Sequence, residues 1–375
     1  LFEPAWYLRS ARQEGRAAVS DDLELFKEYL TSAHNAWMGP DAHPLFDAVH
    51  YARQVPREER HSHPLVHYLT SGWKAGLSPH PLFDPAFYAD QAGGQDRPAL
   101  VHYLQEGWKA GFTPHRLFSP EHFIRTANMA EPPEEAPLVS YLRGDHGGDP
   151  HYLFDTQFYL RFLGFPSWDG IAMRCAGFNR SNPLPGLSDL GGVNPLLHYF
   201  KSGSKSGKSP HLLFDPEWYI TQRQEIAGLP PPSSEWDPLA DYLEIGVRHR
   251  LSPSRLVDVE HYMGQTELAD GEDCVHHYML GSEQDRVSLT PAMDAAFYTW
   301  HAPAALEMKS PLHHLLFTPA EERKKTLALF DPDYYLTTYP DIEGARACPI
   351  VHFVCFGAWE NRRPNGVVSD VYAAS

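Results

Sequence analysis

One rhythm of apolar and polar positions recurs along this chain. From Leu100 to Ser119 the order LVHYLQEGWKAGFTPHRLFS sets a short apolar-periodic run before a glycine, a Trp-Lys pair, a second glycine, a proline and a Leu-Phe pair. The order returns at Leu65 (LVHYLTSGWKAGLSPHPLFD) and, more loosely, at Leu196 (LLHYFKSGSKSGKSPHLLFD). Self-similarity at a period of about 20 to 50 residues is the mark of a repeat array. Two half-motifs alternate. Half A reads L-F-D-P-x-x-Y and begins at Phe2, Phe46, Phe83, Phe118, Phe154, Phe214, Val257, Met293 and Phe330, with steps of 44, 37, 35, 36, 60, 43, 36 and 37 residues. Half B reads P-L-x-H-Y-L-x-x-G.

Both halves carry helix-start chemistry. Asp or Ser caps exposed backbone N–H groups, and proline at the first helical position has no N–H to satisfy. The Phe before the cap and the Tyr five residues later fit a hydrophobic staple. Gly72, Gly107, Gly203, Gly246, Gly281 and Gly357 stand where a left-handed residue would end each B helix. A strand reading would put proline at regular interior positions, which sheets do not accommodate. The expected fold is therefore all-α, a solenoid of about nine short helix-pair repeats of roughly 36 residues. One array should span 1–363, with an irregular insertion at 164–193 and a flexible tail at 364–375.

Composition narrows the function. A net charge of -17 argues against nucleic acid as a partner. The four cysteines, Cys175, Cys274, Cys348 and Cys355, form no CxxC pair and are too sparse for a disulfide framework, which favours a cytoplasmic setting with a secreted or cell-surface one as the alternative. No run of about 18 apolar residues is present, so no membrane insertion is expected. The chain begins inside a motif and reads as a piece of something longer.

The string H-Y-L-x-x-G-W-x-x-G-x-x-P-x-x-L-F-D-x-x-Y-Y-L, best matched from Leu100 to Asp155 and from Leu196 to Tyr219, resembles the short helical repeats beside bacterial cell-surface polysaccharide glycosyltransferases and in some large secreted calcium-binding proteins. The resemblance implies an accessory module. Catalytic features of a glycosyltransferase are not visible: Asp331-Pro332-Asp333 spells D-x-D but sits at a repeat helix cap, and no phosphate-binding glycine loop occurs. No cofactor, metal or catalytic residue is expected, and enzymatic status stays open.

The 22 histidines cluster at two repeat positions, before the B-half tyrosine and after the linker proline. A whole repeat separates equivalent positions, so they should serve as structural hydrogen-bonding groups and not as a metal site. Glu134-Glu135 and Asp21-Asp22 read as solvated loop charges. Cys175 reads as a small apolar residue. The candidate ligand-binding residues follow the B-half glycine: Trp73, Lys74, Trp108, Lys109, Lys205 and Arg248, a possible ladder of cations and aromatic platforms. The bland reading has each Trp packing under the next repeat and each Lys facing its own helix end. The insertion adds Trp168, Asp169, Arg174 and Arg180 as a partner-binding protrusion, or else a tolerated surface loop. These features lead to a non-catalytic scaffold that binds a protein or an anionic glycan along a concave face in bacterial surface-polysaccharide assembly. The alternatives are the helical part of a glycosyltransferase whose catalytic domain lies elsewhere, and an extracellular array that self-associates through its terminal repeats.

Overall fold

The computed structural model describes residues 1–13, 21–31, 36–94, 96–129, 133–144, 147–164, 167–168, 190, 193–226, 229, 236–281, 287–307, 310–317, 330–344 and 348–366. Every regular element among them is helical, and isolated bridges of strand type pair His43 with Phe46 and His80 with Phe83. The fold is all-α. It divides into two compact units, Leu1–His151 and Tyr152–Ser375. The division falls at a joint between sequence repeats and not at the insertion.

The A halves fold as their caps dictate. Asp47, Asp84, Ser119, Asp155, Asp215, Asp258, Asp294 and Asp331 each accept a backbone N–H two or three residues ahead, which starts helices such as Ala48–Gln54, Pro85–Ala92 and Pro216–Gln224. The staple forms too: Phe46 and Tyr51, Phe83 and Tyr88, and Phe154 and Tyr159 meet with ring centroids 5.2–5.5 Å apart. The A-half tyrosine then packs edge-on against the B-half tyrosine, as in Tyr51–Tyr68, Tyr88–Tyr103 and Tyr159–Tyr199, at interplanar angles of 86–89°. Edge-to-face packing of this kind adds about 0.5–1.5 kcal/mol to each pair beyond its burial.

The B halves differ from expectation in one respect. After one α-turn (Pro64–His67, Ala99–His102, Pro195–His198, Pro238–Asp241, Pro349–His352) the helix widens into a π-turn ending at Gly72, Gly107, Gly203, Gly246 or Gly357. None of these glycines has positive φ; the left-handed residue comes four positions later, at Gly76, Gly111, Gly207, Arg250 and Asn361. Gly281, which has no π-turn before it, is extended at φ -68° and ψ 149°. The reason for glycine is space. A Cβ on Gly72, Gly107, Gly203 or Gly357 would lie 1.8–2.1 Å from the hydroxyl of Tyr51, Tyr88, Tyr159 or Tyr335.

Successive repeats are joined by backbone bonds that recur in register. The N–H of each A-half cap donates to a carbonyl in the next linker: Asp47 to Pro79, Asp84 to Pro114, Ser119 to Pro150, Asp155 to Pro210, Asp215 to Pro253 and Asp331 to Pro364, at 2.7–3.1 Å. A glutamine three residues after the A-half tyrosine closes a second, two-point clamp on the linker. The side-chain amides of Gln54, Gln91, Gln222 and Gln265 donate to the carbonyls of Ser78, Thr113, Ser252 and Ser288, and their oxygens accept the same residues' N–H groups. The expected tail thus begins inside the body: Pro364 accepts such a bond and Asn365 is buried, while 367–375 lie outside the described residues.

Contacts also reach past nearest neighbours. In the first unit Arg143 forms an ion pair with Glu3 at 2.7 Å, and its carbonyl accepts from Arg9 at 3.3 Å, so the fourth repeat's B helix meets the first repeat. In the second unit the Tyr152 hydroxyl, just before the fifth repeat, donates to Asp273, which caps the seventh repeat's B helix, at 2.7 Å. Arg255, at the sixth joint, lies 5.7 Å from the Phe356 ring of the ninth B half. Each unit is therefore held by contacts about three repeats apart as well as by stacking.

Candidate functional site

The histidines have structural partners. Before the B-half tyrosine, the Nδ1 atoms of His67, His102, His198, His277, His314 and His352 meet the hydroxyls of Tyr51, Tyr88, Tyr159, Tyr262, Tyr298 and Tyr335 at 2.6–2.8 Å. In the linker, Nδ1 of His43 and, directly after the linker proline, of His80, His115 and His211 accepts the N–H two residues on, at 3.0–3.1 Å. Ser254 and Thr290 do the same with hydroxyls, so the position needs an acceptor and not an imidazole. Among the described residues no group of three or more His, Cys, Asp or Glu could hold a metal ion.

Burial lowers the pKa of His43 to about 3 and of His63 and His115 to about 4, and depresses His198 and His352 as well. These five groups titrate at about 6.5 in an unfolded chain, so between 6.5 and 4 the unfolded state binds more protons and stability is lost as pH falls through that window. Asp237, raised to about 6, and Asp273, also raised by burial, act in the opposite sense, two groups against five. Thermal unfolding followed by circular dichroism is expected to show a midpoint that falls steadily from pH 6.5 to 4. A flat profile would show that the buried imidazoles are not held neutral.

The Trp-Lys positions occupy the turn that closes each π-containing B half. Trp73 and Trp108 are half-buried, and Lys74 and Lys109 are exposed with their ammonium groups 5.7 and 5.5 Å from their own indole rings. The Trp108 indole N–H donates back to the Leu104 carbonyl at 3.3 Å. In the second unit Lys205 and Arg248 are exposed at the same position, beside buried Ser204 and half-buried Val247. The structure thus sets Trp73-Lys74 and Trp108-Lys109 on successive B halves of one unit, and Lys205 and Arg248 on successive B halves of the other. At Trp73 and Trp108 each ring already faces its own lysine.

Trp168 does not join this surface. It is 2% exposed and its indole N–H donates to the Leu212 carbonyl at 2.9 Å, so it fills the fifth joint and offers no face to a ligand. Asp169, Arg174 and Arg180, with Cys175, lie outside the described residues. Two features went unseen in the sequence reading. The row position after Gly357 holds Trp359, 80% exposed, hidden because the ninth repeat has Ala358 in place of the tryptophan. Concavities also form between the B-half turn and the loop entering the next B helix. One gathers Leu104, Trp108 and Lys109 with Glu134, Glu135 and Val139; the other gathers Val247, Arg248 and Arg250 with Asp270 and Glu272. Only the fold brings those acidic loops beside the cations.

Comparison with protein-family models, with curated proteins and with solved structures finds no match for this chain. No helix among the described residues is long and apolar enough to cross a membrane.

Proposed function

We propose that the chain is a non-catalytic helical-repeat binding module, a solenoid of about nine helix pairs, whose ligand is a protein or an anionic glycan held by the cations at the ends of the B halves. The observation that carries this reading is that Lys74, Lys109, Lys205 and Arg248 stand exposed at one equivalent turn while nearly every other marked repeat residue has a packing or hydrogen-bonding task. Cations repeated at one turn within each unit, against an acidic background, attract an acidic polymer over about a Debye length, roughly 8–10 Å at physiological salt. The resemblance to repeats beside polysaccharide glycosyltransferases supports a role in bacterial surface-polysaccharide assembly. The test uses polyglutamate and polygalacturonate as acidic protein and glycan probes. The wild-type chain should bind at least one of them, and changing Lys74, Lys109 and Lys205 together to Glu should abolish binding while leaving the unfolding curve in place. Undiminished binding by the triple variant, or no binding by the wild type, would overturn the reading.

A further inference from the structure

We propose that the turn closing the ninth B half is a carbohydrate subsite, with Trp359 as the stacking platform for a neutral β-linked pyranose and with Glu360 and Asn361 as hydrogen-bonding partners for its hydroxyls. The site is separate from the lysine and arginine positions argued above, and its ligand carries no charge.

Seven of the nine tryptophans are engaged within the fold. Trp37, Trp108 and Trp168 donate to backbone carbonyls, Trp236 stacks on Tyr219, and Trp6, Trp73 and Trp218 lie within 5.0–5.7 Å of a cation. Trp300 and Trp359 are 82% and 80% exposed and make no hydrogen bond or ring contact among the described residues. An indole has about 150–250 Å² of surface to bury, and leaving it in water forgoes that stabilisation.

The turn that holds Trp359 is built differently from its equivalents. Two residues past the glycine, the earlier π-containing B halves carry a cation and this one carries Trp359; three past it, Ala, Ala, Ser and His give way to Glu360; five past it, Leu77, Phe112, Lys208 and Leu251 give way to Arg362. The new charges brace one another. Arg362 Nη1 donates to both oxygens of Asp341 at 3.1 and 2.9 Å, its Nε donates to Glu360 Oε2 at 2.6 Å, and the guanidinium lies 4.9 Å from the Tyr339 ring. Glu360 is thereby held at the residue next to Trp359, with Oε1 making no hydrogen bond among the described residues, and Asn361 follows, exposed at φ 57°. Trp300 has no such frame: the neighbouring His301 is bonded to the Phe297 carbonyl of its own helix at 2.8 Å.

A sugar suits this turn better than a protein or a lipid surface. Equatorial hydroxyls leave a pyranose with a face of axial C–H bonds that packs flat on an indole, and its rim of hydroxyls needs both acceptors and donors, which a carboxylate and an amide supply. A protein hot spot is ringed by contacts that exclude water, whereas Ala358, Glu360 and Asn361 along this turn are all exposed. Arg362 and Arg363 are matched by Glu360 and Asp341, so the turn has no excess positive charge to draw an anionic membrane or polymer.

The experiment is affinity electrophoresis of the full 375-residue chain through gels holding barley β-glucan, xyloglucan or galactomannan as neutral polymers, with polygalacturonate as the acidic comparison. At least one neutral polymer should retard the wild type. W359A should lose affinity about tenfold or more, W359F should keep most of it, and E360A should lose about threefold. W300A should bind as the wild type does, and the unfolding curves of all variants should coincide. No retardation by any neutral polymer, full retention by W359A, or an equal loss in W300A overturns the inference, and so does an unaffected E360A, which would reduce the site to adsorption on an indole. Retardation by polygalacturonate alone would refute this inference and leave the function proposed above standing.

Discussion

Replacing Arg223 by alanine is expected to destabilise the second unit by about 3–5 kcal/mol, the range found when one partner of a buried ion pair is removed. In the sixth repeat the B-half histidine is Asp241, and the change brings a charge into a place built for a neutral ring. The Tyr219 hydroxyl donates to Asp241, and Arg223 Nε donates to the same oxygen at 2.6 Å, with the two side chains only 6% and 10% exposed. Trp236 covers the cluster, stacked on Tyr219 at 13° and 5.6 Å from the guanidinium. Without Arg223 the carboxylate is left buried with no counter-charge. Chemical denaturation should show the loss, and the double variant R223M/D241N, which leaves no charge to strand, should recover most of it. A cost below about 1 kcal/mol, the range of exposed pairs, would mean that the pair is solvated.

Gly107→Ala is the second large effect. The new Cβ would sit 1.9 Å from the Tyr88 hydroxyl, which is fully buried and bonded to His102 at 2.6 Å. Either Tyr88 swings out of its packing against Phe83 and Tyr103, or the B half unwinds its wide turn. Overpacking alone costs about 1–3 kcal/mol, and a lost bond that strands a buried partner adds about 1–3 kcal/mol. The informative control is Y88F/G107A. Phenylalanine lacks the hydroxyl that the methyl group strikes, so the double variant should be more stable than the sum of the two single losses implies. Strict additivity would show that glycine is needed at 107 for another reason.

Much of this fold is legible in the residues. Asp-Pro pairs announce helix starts because a carboxylate cap and a missing N–H suit the first turn, and the Phe and Tyr flanking each cap meet as the staple requires. What escaped was chemistry that acts between halves. A glycine at the end of an apolar-periodic run looks like a left-handed terminus, and only the approach of Tyr51 or Tyr88 from another helix shows that the space above it is the point. Gln54, Gln91, Gln222 and Gln265 recur three residues after the A-half tyrosine, a spacing visible in the sequence, but their clamps close on linkers 22 to 30 residues away. The contacts of Arg143 with Glu3 and of Tyr152 with Asp273 join residues more than a hundred positions apart and have no local signature. For the candidate site, the cations could be read from the sequence, whereas Glu134 looked like a solvated loop charge and Asp270 gave no signal until the fold set them beside Lys109 and Arg248.

The central claim is that the exposed cations of the B-half turns bind ligand and the remaining repeat positions build the fold. Titration calorimetry of the wild-type chain and of the Lys74, Lys109 and Lys205 to Glu variant against polyglutamate and polygalacturonate, with unfolding curves recorded on the same samples, tests it most directly. The account predicts binding by the wild type to at least one polymer, none by the variant, and coincident unfolding curves. Equal affinities for the two proteins would contradict it.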